Sequence, residues 1–157
     1  MTNFEKALRE WLKKNNFNCD ITFKDDFGYE WDTNILHIGV LGYENVGRWF
    51  EQFLYEYGMD YVGIYDPVLA LIHELGHYSS LGDFEPEELM LLGFIKDLDN
   101  ERMSNQEFMN EYWELPDEFA ANMWTINFVN ENIKAVEDLC NIYLYYWDEF
   151  INERNVA

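Results

Sequence analysis

Apolar residues recur along this chain at two periods, one helical and one alternating, and their order predicts a small sheet followed by a run of helices. Phe4, Leu8, Trp11 and Leu12 repeat at helical spacing with Lys and Glu between them, which predicts an amphipathic helix over residues 3–14. Asn15, Asn16 and Asn18 end that pattern. Residues 19–24 then alternate, and residues 35–41 form a short apolar run with β-branched members, bounded by Asp, Asn and Gly, so two or three strands are expected here.

Helical spacing returns over residues 43–57 through Val46, Trp49, Phe50 and Phe53, with Gly58 placed to cap the C-terminus. Asp66-Pro67 opens the next helix, Asp at the N-cap and Pro in the first turn, and that helix is expected over 67–80. Segments 86–96, 104–114, 116–130 and 133–153 also read as helices. In the last of these Ile133, Val136, Cys140, Tyr143, Leu144, Trp147 and Ile151 form a stripe that reads as core. The expected fold is α+β, a single domain over 1–157 with a small sheet packed on several helices.

Composition narrows the function classes. A chain of 157 residues, 48% apolar and 18% aromatic, can bury a core of its own. Against 31 acidic residues stand 10 Lys and Arg, a formal net charge of −21 that opposes approach to DNA, RNA or anionic lipid. Direct nucleic-acid and membrane binding are therefore not expected, and basic partners are favoured. Four of the cations, Lys6, Arg9, Lys13 and Lys14, lie in the first helix, so the remainder is more acidic still. Cys19 and Cys140 stand in no metal or disulfide pattern and read as free thiols. With charges throughout the N-terminal segment and no apolar stretch of about twenty residues, a soluble cytoplasmic protein is expected.

The helix over 67–80 contains His73-Glu74-Leu75-Gly76-His77, an HExxH pattern that holds two of the three histidines. Residues at i and i+4 share a helical face, so both imidazoles can meet one tetrahedral Zn²⁺. Glu74 lies beside that ion without binding it. There it can take a proton from a water whose pKa the metal lowers to about 7, which is the chemistry of amide hydrolysis.

A catalytic zinc needs a third protein ligand. The best candidate is Glu118, in the ExxAN segment Glu118-Phe119-Ala120-Ala121-Asn122, where Glu118 and Asn122 share a face. Glu118 can bind the metal while the Asn122 amide orients His73 or His77. Ala120 and Ala121 are small enough to let the two helices come close.

HELGH followed some forty residues later by ExxAN, with a strand upstream, resembles the gluzincin-type metallopeptidases, and among them the ImmA/IrrE-like group of bacteria and mobile elements. The likeness covers roughly residues 34–129. It implies a zincin-like domain hydrolysing peptide bonds in a protein substrate, with His73, His77 and Glu118 as zinc ligands and Glu74 as the base. Residues Met123-Trp124-Thr125-Ile126 follow that group's pattern only loosely.

Other readings stay open at this point. Asp83, six residues after His77, is a rival third ligand in the metzincin manner, although Ser80 stands where that arrangement wants Gly; Glu114 and Asp117 are further candidates. His37, in the strand Ile35-Leu36-His37-Ile38-Gly39, is either hydrogen-bonded within the fold or flanks a cleft where a strand edge holds the substrate backbone. Tyr78 and Tyr112 are two among eleven tyrosines able to stabilise an oxyanion. A chain this acidic also suits a non-catalytic binding protein that mimics DNA or occupies a basic groove while keeping the same fold.

Overall fold

A computed structural model describes residues 1–41 and 44–156, and the side chains of all of these except 44–47 and 156. Tyr43 and the Val46 side chain, expected in the second helix, lie outside the described residues. The order along the chain is α1 (Asn3–Lys14), β1 (Asp20–Lys24), β2 (Gly28–Glu30), β3 (Ile35–Gly39), α2 (Glu44–Glu56) and α3 (Asp66–Ser80). A 3-10 turn (Leu81–Asp83) leads to α4 (Pro86–Arg102), α5 (Asn105–Tyr112), α6 (Pro116–Glu131) and α7 (Ile133–Val156). The fold is α+β, mostly helical with one small mixed sheet.

The helix boundaries have local causes. Thr2 Oγ1 accepts from the Glu5 N–H at the start of α1, and Asn16 at φ 65° ends it, with Phe17 N–H reaching back to Leu12 O at 2.9 Å. Gly58 closes α2 in the same way: it lies at φ 117°, and Met59 N–H bonds Leu54 O at 2.9 Å. α3 corrects one expectation. Its cap is Tyr65, and Asp66 sits in the first turn, where a carboxylate favours the helix dipole. α4 runs past the expected end at Lys96 to Arg102.

β3 is the central strand, paired in parallel with β1 and antiparallel with β2, which leaves β2 at an edge beside α3. α3 is the central helix: every residue from Val68 to Gly76 is buried, as expected of a helix apolar nearly all round. It packs most extensively on α6. A Cβ placed on Gly76 would lie 2.6 Å from the Ala121 carbonyl oxygen, so this helix pair approaches as closely as it does only because residue 76 has no side chain.

On the far side α1 packs against α7, with the Phe4 ring 5.0 Å from those of Tyr143 and Trp147. Trp11 Nε1 donates to Ala135 O at 2.8 Å. The expected α7 stripe is found with one exception: Val136 and Tyr143 are buried and Ile133, Cys140, Trp147 and Ile151 pack against the core, joined by buried Leu139 and Phe150, while Leu144, about 100° round the helix from Tyr143, is 73% exposed. No helix among the described residues is long and apolar enough to cross a membrane.

Candidate metal centre

The site forms where α3 crosses α6. His73 and His77 lie one turn apart on α3, with rings 4.8 Å apart and nearly perpendicular. From the first turn of α6, Glu118 places one carboxylate oxygen, Oε2, 2.8 Å from His73 Nε2 and 3.0 Å from His77 Nε2. The expected trio is thus brought together on a single atom. One turn further along α6, Asn122 Oδ1 lies 2.7 Å from His73 Nδ1. Of the two histidines offered to it by sequence, Asn122 takes His73.

This contact orients the His73 ring. Asn122 Oδ1 is an acceptor, so His73 Nδ1 carries a proton and the ring turns Nε2 toward Glu118. A lone pair and a carboxylate oxygen at 2.8 Å repel unless a cation lies between them or the ring takes a second proton. Asn122 is fully buried, and its Nδ2 has no hydrogen-bond partner among the described residues. An unpaired buried donor costs about 1–3 kcal/mol, so the amide is placed here at a cost to stability and in favour of ring orientation.

The donor set fits zinc. Two imidazoles and one carboxylate are a recurrent catalytic zinc set that leaves a fourth position open. Bonds of about 2.0–2.2 Å to a tetrahedral ion set neighbouring ligand atoms about 3.3 Å apart, a few tenths of an ångström beyond the distances found here. Ligand atoms of His73, Glu74 and His77 also lie within 4.8 Å of one another, as do those of His77, Asp117 and Glu118. Asp117 therefore belongs to the cluster's edge. Asp83 is exposed in the 3-10 turn and Glu114 lines a separate groove beside Trp49 and Trp113, so neither stands with the histidines.

Charge is concentrated here. Burial alone would raise the Glu118 carboxyl, but the His77 charge and the hydrogen bonds from His73 and His77 hold it well below the usual carboxylate range. For His77, burial pulls downward, and the charge and hydrogen bond of Glu118, with Glu74 behind them, override it and raise the pKa to about 9. Burial raises Glu74 above its ordinary value against the pull of both histidines. Tyr112 is pushed well up by burial and by the Glu118 and Glu74 charges, so its hydroxyl stays protonated.

These shifts set the stability of the metal-free protein. The His77 contribution is fully present below its ordinary pKa of 6.5 and is lost as pH rises through about 9. Thermal melts in a chelator should therefore fall on going from neutral pH to above 9, and His77→Gln should remove most of that alkaline drop. An equal drop in the variant would place its origin elsewhere.

A cleft of about 300 Å³ opens beside the cluster, lined by Glu74, His77, Lys96, Tyr112, Asp117 and Glu118 together with Phe27, Tyr29, Trp31 and Phe84. Gly28 of the edge strand β2 also lines it. His37 does not: it lies across from Gly28 in the sheet, with Nδ1 3.1 Å from Thr22 Oγ1 and Nε2 2.9 Å from Glu30 Oε1. Tyr78 is also engaged elsewhere, its hydroxyl accepting from Asn18 N–H, while Tyr112 lines the cleft.

Sequence reasoning missed two parts of the surroundings. The rings of Phe50 and Trp113 stand edge-on to His73 at 5.2 and 5.6 Å and wall it off from solvent. Lys96 Nζ donates to Asp117 Oδ2 at 2.6 Å and to Glu118 Oε1 at 2.8 Å. The available signal for Lys96 was its position, since it follows Leu89 and Leu92 on the inward side of α4 as a cation among acids. The chain matches no protein-family model, no curated protein and no solved structure.

Proposed function

We propose that this protein is a small zinc-dependent metallopeptidase with a zincin-like domain, in which His73, His77 and Glu118 hold the metal and Glu74 is the general base. The observation that carries the reading is the convergence of both Nε2 atoms on Glu118 Oε2, with Asn122 Oδ1 held by His73 Nδ1 so that Nε2 points inward. When bound, zinc polarises the scissile carbonyl and lowers the pKa of a water to about 7. Glu74, which lines the cleft with His77, would take a proton from the attacking water and hand it to the leaving amine. Tyr112, held protonated, lines the cleft and supplies the hydroxyl that turns from Glu118 to the developing oxyanion.

The substrate is an extended protein segment. Edge strand β2 lines the cleft through Gly28 and Tyr29, and the aromatic rings of Phe27, Trp31 and Phe84 in its lining suit apolar side chains. A net charge of −21 favours segments with basic flanks.

The test is the zinc content of protein purified without a metal-binding tag, wild type and Glu118→Ala side by side. About one zinc per chain is expected for the wild type, with zinc affinity lowered at least tenfold in the variant, as loss of a metal-site partner typically costs about 10–100-fold. A wild-type chain that takes up no zinc after reconstitution removes the peptidase reading. The acidic, non-catalytic binding protein would then be the better description.

A further inference from the structure

Glu118 uses its two oxygens on opposite sides. Oε2 faces both histidines, and Oε1 accepts from the Lys96 ammonium at 2.8 Å. Lys96 comes from α4, a helix with Leu92 as its only buried side chain among the described residues and with Met90, Leu91 and Phe94 turned to solvent. Its own side chain is nonetheless only 19% exposed and is clamped a second time by Asp117. Asp117 in turn accepts from the Glu118 backbone N–H at 2.9 Å. A cation next to a site for a cation is unfavourable by Coulomb's law, so this placement needs another reason.

Resting on the zinc reading above, we propose that Lys96 is a positioning residue that holds Glu118 to ligation through one oxygen. With Oε1 kept on the ammonium, Oε2 alone is left for the ion. Carboxylates bind metals through one oxygen or two, and zinc expands to five ligands when one more is offered. Without Lys96, Oε1 is free to turn onto the metal and fill the place that water and substrate need.

The test uses cobalt(II) as the metal, because its visible absorption falls as coordination rises from four to five. Wild type, Lys96→Met, Lys96→Gln and Lys96→Arg are loaded with cobalt, and absorption, metal per chain and circular dichroism are read together. Wild type and Lys96→Arg should give intense four-coordinate bands. Lys96→Met and Lys96→Gln should keep about one cobalt per chain with absorptivity lowered about twofold or more, as a fifth ligand enters. Spectra of both neutral variants identical to wild type overturn the proposal. Loss of cobalt or of the fold in both makes Lys96 a structural tie and overturns it as well. Failure of the wild type itself to bind cobalt removes the metal centre, and the role of Lys96 with it.

Discussion

Glu74→Gln should leave zinc in place and lower peptide hydrolysis by about 10²–10⁴-fold, the range that a positioned general base supplies. Glutamine matches glutamate in shape and hydrogen-bonds through its amide, but it cannot take a proton from water. The site is suited to show this difference. Glu74 is buried on α3, and burial raises its pKa above the ordinary carboxylate value, which makes it a stronger base than an exposed carboxylate. Turnover of dye-quenched unfolded proteins, basic ones first, measured alongside zinc content, separates loss of the base from loss of the metal. A variant that keeps both its zinc and the wild-type rate would take Glu74 out of the chemistry. Full biological effect in that variant would favour the acidic binding protein.

The second large effect comes from a residue with no functional group. Gly76→Ala places a methyl 2.6 Å from the Ala121 carbonyl oxygen and 2.9 Å from its Cα, and these are backbone atoms that cannot step aside without moving α6. Overpacking of this kind costs about 3 kcal/mol or more, which in a chain of this size lowers the melting temperature by about 6–12 °C. The same displacement carries Glu118 and Asn122 away from His73, so zinc affinity should fall together with stability. Gly93→Ala is the control, because a Cβ there meets nothing within 4 Å and should leave both quantities close to wild type. Zinc affinity unchanged in Gly76→Ala would mean that the ligands tolerate a shift of the helix pair.

What could be read from sequence was what lies on one helix at a time. The spacing of His73 and His77, and of Glu118 and Asn122, is a property of single helices, and a 3.6-residue period is enough to recognise it. The small residues at 120 and 121 even pointed to a close crossing. Which oxygen of Glu118 meets the histidines, and which histidine Asn122 holds, depends on how α6 docks on α3, and no local period contains that information. Lys96 escaped for the same reason. Its partners are 21 and 22 residues further along the chain, and it stood at the expected end of its helix. Leu144 was misplaced by a smaller error: the other expected members of the α7 stripe lie in or against the core, and Leu144 sits at the stripe's margin, one residue beyond buried Tyr143.

The packing of α1 on α7 has a consequence for the cell that makes this chain. Trp11 finds its hydrogen-bond partner 124 residues later, and Phe4, which meets Phe23 early, finds Tyr143 and Trp147 later still. At about 5–20 residues per second, the apolar face of α1 waits about 6–25 s after leaving the ribosome before its partner helix exists. For that interval Phe4, Leu8 and Trp11 are available to chaperones and to other nascent chains. Slower translation lengthens the interval, so expression under conditions that slow elongation should increase aggregation during synthesis rather than relieve it.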